Sequence, residues 1–299
     1  MTHVLTLVAP TAQPILDGAL VRVATSLLPA AGEPQWLCDR IAVDIPFAPD
    51  GAIDNRHLGD AVRQELGDAP IDVFAQPIAH RRKKLFLADM DSTMIGQECI
   101  DELADFVGKK AEVAEITERT MRGELVFETS LKARVALLAG LSADVVATVI
   151  AQRIKLTPGG SELVRTMRKH GAYTALVSGG FTVFTREIAA TIGFDENRAN
   201  TLIVENAKFT GRVTEPILGR EAKLETLLEL RTKFGLVKDD TMAVGDGAND
   251  LSMIGEAGMG VAFHAKPAVA AAAGYRIDHG DLSALLYAQG YKRADFLLP

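Results

Sequence analysis

A chain of 299 residues, 48% of them apolar, has room for two folded units or one large unit with an insert. Its 39 acidic and 32 basic residues leave a net charge of -7, which argues against a nucleic-acid or membrane-surface binder, and no apolar run is long enough to span a bilayer. Cys38 and Cys99 are far apart and lack metal-ligand spacing, which suits a reducing compartment; with no signal-peptide pattern at Met1, a soluble cytoplasmic protein is expected.

Residues 1–80 read as a unit of their own. HVLTLVA is a short strand, and PILDGALVRVATSLL carries apolar residues at helical spacing. PQWLCDRIAVDIPFA predicts one long or two short strands broken near Asp39 and Arg40, HLGDAVRQELG a helix and IDVFAQPIA a further strand. The order β-α-β(β)-α-β resembles an ACT-type regulatory domain. Such domains often place a glycine in the first strand–helix loop, whereas this chain has APTAQP there, so dimer contacts or a structural role are expected ahead of ligand sensing. The basic run His80–Lys84 reads as a solvated linker.

From Lys83 the pattern changes. KLFLAD, AYTALVS, TMAVGD, GMGVAF and YRID are strand candidates with helical stretches between most of them, and TLIVEN with KFTGRV reads as a hairpin. This alternation predicts an α/β fold with a doubly wound, mostly parallel sheet over residues 81–96 and 156–299. A helical insert at residues 97–155 is too long for a crossover and predicts a cap over the edge where the first strand ends.

Polar residues follow each core strand. Asp89 follows LFLA, Ser178 and Gly179 follow TALV, and GDGAND, Gly245 to Asp250, follows MAV. In an open parallel sheet, ligands bind beyond the carboxyl ends of the strands, so these residues should converge, with Lys223 entering from the start of a helix. Asp89, Asp91 and Asp246 are hard oxygen donors suited to Mg²⁺. A carboxylate can attack phosphorus only if its repulsion from the phosphate is neutralised, which Mg²⁺ and Lys223 would do. Ser178 and the N–H groups around Met90 and Gly179 can bond phosphoryl oxygens.

In order and type, DMDST, the strand ending at Ser178, Lys223 and GDGAND resemble the four motifs of the haloacid dehalogenase-like phosphatases over about residues 83–292, which implies their Rossmann-like core. The resemblance implies Asp89 as nucleophile and Asp91 as the acid and then the base, its backbone carbonyl binding Mg²⁺. It further implies Asp246 as a metal ligand, Asp250 supporting the metal from behind, Asn249 near the phosphoryl group and Thr93 orienting the loop. P-type ion pumps carry Thr where this chain has Asp91, and they need membrane spans; a proton-transfer group at that position favours rapid hydrolysis of the phospho-enzyme.

The cap should choose the substrate. Glu98 suits an ammonium group and Arg134 a carboxylate held bidentately, while Phe127 lies seven residues before Arg134 on the same helical face. A ligand with phosphate, ammonium and carboxylate is a phospho-amino acid. DSTMIGQECIDELA, MRGELVFETSLKARV and KLTPGG closely resemble stretches of phosphoserine phosphatases. That resemblance implies hydrolysis of O-phospho-L-serine in serine synthesis, with Met121 and Phe127 as an apolar wall and Gly179 giving an N–H. Taken singly, Glu98, Arg134, Lys223 and Ser178 have ordinary explanations as helix charges and a cap; their order and spacing together carry the inference. A related phosphatase or phosphotransferase stays open, as does a non-catalytic binding protein; a homodimer is a candidate assembly.

Overall fold

The computed structural model describes residues 1–121 and 124–298, with the backbone alone for Met121. The first unit runs β1 (His3–Val8), α1 (Gly18–Ser26), β2 (Gln35–Cys38), β3 (Ala42–Phe47), α2 (Asn55–Leu66) and β4 (Asp72–Pro77). The strands form an antiparallel sheet in the order β2-β3-β1-β4. Asp17 and Asp54 start the helices by accepting N–H groups of their first turns, and Arg40, in the left-handed region at φ 56°, turns the chain between β2 and β3.

One face of this sheet, with Leu5, Leu7, Val43, Ile45 and Val73, packs with Val21 and Val62 of the two helices in one core. The other face carries Thr6, Asp44 and Gln76 among apolar residues, and all three are buried. They meet the C-terminal helix of the chain: Gln76 donates to the Ala288 carbonyl, and Thr6 and Asp44 both bond Arg81, which also donates to Ala288. The solvated-linker reading of His80–Lys84 is therefore corrected for two of its residues, while His80, Arg82 and Lys84 are exposed. The Arg81 side chain is only 13% exposed and Lys83 only 8%, because these two are clamped between the two units.

The second unit opens with β5 (Leu85–Ala88). Four helices follow, α3 (Cys99–Asp105), α4 (Lys110–Met121), α5 (Phe127–Ala136) and α6 (Val145–Gln152), before α7 (Gly160–Lys169) and β6 (Tyr173–Phe181) return to the sheet. Then come α8 (Thr182–Ile192), β7 (Glu196–Asn200), the hairpin β8 (Leu202–Glu205) and β9 (Lys208–Val213), and α9 (Arg220–Lys233). β10 (Thr241–Gly245), α10 (Leu251–Glu256), β11 (Met259–Phe263), α11 (Pro267–Ala272), β12 (Tyr275–Ile277) and α12 (Ala284–Ala288) follow.

The main sheet is parallel throughout, in the order β12-β11-β10-β5-β6-β7. All four residues of β5 are buried, as expected of a strand covered on both faces. From β5 the chain goes first to β6 on one side and later to β10 on the other, so the strand order reverses at β5 and a crevice opens at its carboxyl end. β7, which the apolar pattern does not predict, is the polar edge strand. The hairpin is bonded to the cap: Gly140 and Ala143 donate to the carbonyls of Phe209 and Ala207, and Phe209 donates to that of Leu141.

Candidate active site

The register of the sheet brings the strand ends together. Ala88 of β5 lies opposite Val244 of β10 and Leu176 of β6, so Asp89, Gly245 and Val177 come next in line. Beyond Asp89 the chain makes a wide turn over Met90–Met94, closed by Ile95 N–H donating to the Met90 carbonyl, with Ser92 in the left-handed region at φ 55°. The turn points the carboxylates of Asp89 and Asp91 into one cavity of about 270 Å³ that also reaches Asp246, Asn249, Ser178 and Gly179.

Lys223 is the charge at the centre. Its Nζ lies 2.7 Å from Asp89 Oδ1 and 2.6 Å from Asp250 Oδ1, and it is buried with both. Burial alone would depress the amine, but Asp250 and Asp89 outweigh it and raise its pKa above the ordinary value. Asp89 Oδ1 also accepts the Met90 N–H at 2.8 Å, so both of these bonds fall on one carboxylate oxygen. Asp250 is used twice, by Lys223 and by the Gly247 N–H at 3.1 Å. Gly245 must be glycine, because a Cβ there would stand 2.3 Å from Asp250 Cγ.

Oxygens of Asp89, Asp246 and Asp250 lie within 4.8 Å of one another. Burial pushes the Asp246 and Asp250 carboxyls up to about 7, and the charge of Asp89 adds to both shifts. A cluster of hard oxygen donors with one amine among them lacks positive charge, which fits a divalent cation. Because both Asp250 oxygens already accept hydrogen bonds, Asp89 and Asp246 are the better direct donors. Thr93 reaches Asp246 at 3.4 Å, so its hydroxyl steadies a candidate ligand.

Asp91 is held differently. Its Oδ1 accepts the Cys99 N–H at 2.8 Å and its Oδ2 the Ser178 hydroxyl at 3.3 Å. Burial raises its carboxyl to about 6 against the pull of the Cys99 N–H, and the Asp89 charge adds to the rise. A group that titrates near neutrality can both give and take a proton. Ser178 in turn accepts the Gly180 N–H at 2.9 Å, and a Cβ on Gly180 would meet Asp91 Oδ2 at 2.9 Å.

The far wall of the cavity is the cap. Glu98 accepts from the Ser92 hydroxyl at 3.0 Å; burial, with Asp91 and Asp246, raises it to about 8. Arg134 is buried and donates to Thr117 Oγ1 at 2.9 Å and to the Ser130 carbonyl at 3.4 Å. Phe127 closes over the core: a Cβ on Gly179 would be 3.0 Å from its ring, and one on Gly219 would be 3.4 Å away.

The structure thus brings Asp89, Asp91, Glu98, Phe127, Arg134, Ser178, Gly179, Asp246 and Asn249 to one cavity, with Lys223 and Asp250 just behind it. Met121 ends α4, and its side chain, expected in the apolar wall, lies outside the described residues. Sequence reasoning missed Thr117, Thr120, Leu131 and Arg220 in the lining. Leu131 was findable, four residues after Phe127 on the same helical face; the hydroxyls of α4 had no signal of their own. Asp101, Glu102 and Asp105 of α3 are not among the lining residues, and Glu102 and Asp105 pair with Arg153.

A family profile described as haloacid dehalogenase-like hydrolase matches residues 86–255. A phosphoserine phosphatase of Albidiferax ferrireducens is 45% identical over 221 residues, which are 72% of this chain and 93% of that protein. A phosphoserine phosphatase of Streptomyces coelicolor is 42% identical over 253 residues, 84% of this chain, and the match spans 61% of that protein's length. The crystal structure of a HAD-family hydrolase from Salmonella enterica superposes with a TM-score of 0.84 at 26% identity, covering 96% of this chain and 98% of that one. With the profile covering more than half of the chain and the motifs gathered around one cavity, this chain belongs to the haloacid dehalogenase-like hydrolases.

Proposed function

We propose that this chain is a Mg²⁺-dependent phosphatase that hydrolyses O-phospho-L-serine to serine and phosphate, the last step of serine synthesis. The observation that carries the reading is the shared cavity. Asp89, Asp91 and Asp246 line it together with Glu98 and Arg134. The phosphate and the carboxylate each meet an opposite charge, Lys223 and Arg134, and an ammonium beside Glu98 would draw that carboxyl down from about 8 towards its charged form. The relatives named as phosphoserine phosphatases support the same substrate.

In this mechanism a carboxylate oxygen of Asp89 attacks phosphorus. The P–O bond to the serine oxygen breaks, and Asp91 gives that oxygen its proton, leaving an aspartyl-phosphate and free serine. Asp91, now a carboxylate, takes a proton from water as the water oxygen attacks phosphorus, and phosphate leaves with the Asp89 carboxylate restored. The rise of Asp91 to about 6 suits both halves of this cycle. Lys223 offsets the repulsion between Asp89 and the phosphoryl group, and Ser178, the Gly179 N–H and Asn249 bond phosphoryl oxygens. Asp89, Asp246 and the Asp91 carbonyl would hold Mg²⁺, which supplies further positive charge to the same oxygens, with Asp250 and Thr93 steadying that set.

The reading includes a reducing compartment, in keeping with two free cysteines, and contacts to a second copy of the chain through the N-terminal unit. The test is phosphate release from O-phospho-L-serine, with and without Mg²⁺, beside phosphothreonine, phosphotyrosine and a sugar phosphate. Fast, Mg²⁺-dependent release from phosphoserine alone is expected. Release from the sugar phosphate instead would overturn the roles of Glu98 and Arg134. Asp89→Asn should lower kcat by at least about a thousandfold with the fold retained; near-native turnover would remove Asp89 as nucleophile.

A further inference from the structure

The N-terminal unit sends one buried carboxylate into the core. Asp72, the first residue of β4 and 1% exposed, accepts three backbone N–H groups from one loop: Asp278 at 2.7 Å, His279 at 3.2 Å and Gly280 at 2.7 Å. Such a carboxylate is costly to bury and is held by what it orders. The next residues of that loop face the base of the cap. Leu282 N–H donates to the Pro158 carbonyl, and Gly159, at φ +79°, is packed so closely that a Cβ would stand 2.2 Å from Ser283 N. A Cβ on Gly160 would lie 3.3 Å from Leu282 and 3.0 Å from Met94.

Met94 belongs to the turn that carries Asp89 and Asp91. The chain enters the cap through residues 94–97 and leaves it through residues 155–157, and the two crossings are tied together. Thr157 N–H donates to the Met94 carbonyl, Gly96 N–H to that of Lys155, and Lys155 N–H to Gln97 Oε1 at 2.8 Å. A continuous set of contacts therefore runs from Asp72 to the loop at 278–283, to the glycine turn, to the crossings.

We propose that Asp72 is a positioning residue for the reaction: it fixes the loop that seats both crossings and so sets where the cap holds Glu98 and Arg134 over the catalytic turn. The N-terminal unit is on this view a brace. The inference rests on the phosphatase reading for its kinetic arm and on structure alone for its exchange arm.

The experiment uses the full chain. Asp72→Asn keeps the volume but sets an amide N–H₂ against N–H donors. The variant should raise KM for O-phosphoserine by about tenfold or more. Amide hydrogen exchange at Gly96 and Thr157 should quicken by about tenfold or more, with the amides of β10 unchanged. A lowered Tm with KM and crossing exchange unchanged overturns the brace. Should the variant not fold, native-state exchange on the unaltered protein decides: the amides of Gly96, Thr157 and Gly280 are expected to open together with those of β1 and β4, and crossings that open independently of the N-terminal sheet sink the proposal. If the unaltered protein releases no phosphate from phosphoserine, the substrate reading fails while the exchange result still judges Asp72.

Discussion

Arg134 could be picked out from the sequence for its charge and its spacing from Phe127, but the group that aims it could not. Thr117 sits on the preceding cap helix, seventeen positions away, and its buried hydroxyl accepts one guanidinium N–H at 2.9 Å. Thr117→Val removes that acceptor without changing the volume. Losing one hydrogen bond to a charged group costs about 1.5 kcal/mol, so KM for O-phosphoserine should rise roughly tenfold while kcat stays within about twofold. An unchanged KM would mean that Thr117 does not position the guanidinium. The candidate catalytic carboxylates stood out for the opposite reason: Asp89, Asp91 and Asp246 lie within a few residues of strand ends, where short-range pattern and chemistry coincide.

The same contrast holds among elements. β5, β10 and β11 are buried on both faces and read as apolar runs. β7 carries ENRAN and reads as nothing, because an edge strand pairs on one side only and need not be apolar. Its last residue nonetheless matters. Buried Asn200 donates to the carbonyls of Gly179 and Leu218 and accepts the Leu218 N–H at 2.7 Å, joining the end of β6 to the start of α9. Asn200→Ala should cost about 2 kcal/mol in urea unfolding, since three partly buried backbone groups lose their partner. Because α9 delivers Lys223, kcat should fall as well. Stability loss with kcat unchanged would show that the start of α9 keeps its place without Asn200.

At the scale of the whole molecule, the seam between the two units carries charge that has been drawn out of water. Lys83 donates its N–H to Gln289 and its amine to the Asp239 carbonyl, and burial pushes that amine down to about 8 from an ordinary 10.5, with Asp239 and Asp240 opposing. Between those two pH values the unfolded chain holds the proton and the folded chain has lost it, so stability rises with pH across that window. Below pH 8 the burial penalty is fully present. Lys83→Met should therefore be more stable than the unaltered chain at pH 7, by about 2 kcal/mol, with the gap shrinking from pH 8 towards 10.5. Chemical unfolding of both proteins at pH 7 and pH 10 checks this, and a gap that does not change with pH would contradict it.

By itself the chain determined what local chemistry can write: the alternation of strand and helix, the cap between β5 and β6, and the motif residues at the strand ends. Periodicity of 2 and 3.6 residues states which face is apolar, and a reactive carboxylate announces its type. Only the tertiary structure decided what covers a face and what holds a side chain. Thr6, Asp44 and Gln76 carry no mark of burial in the sequence and are buried, and Arg81 and Lys83 read as linker charges and are clamped. Asp72 looks like any strand-end aspartate until three N–H groups from residues more than two hundred positions away meet it. A polar side chain carries no mark of its partner in the sequence, because the partner arrives only when the fold closes.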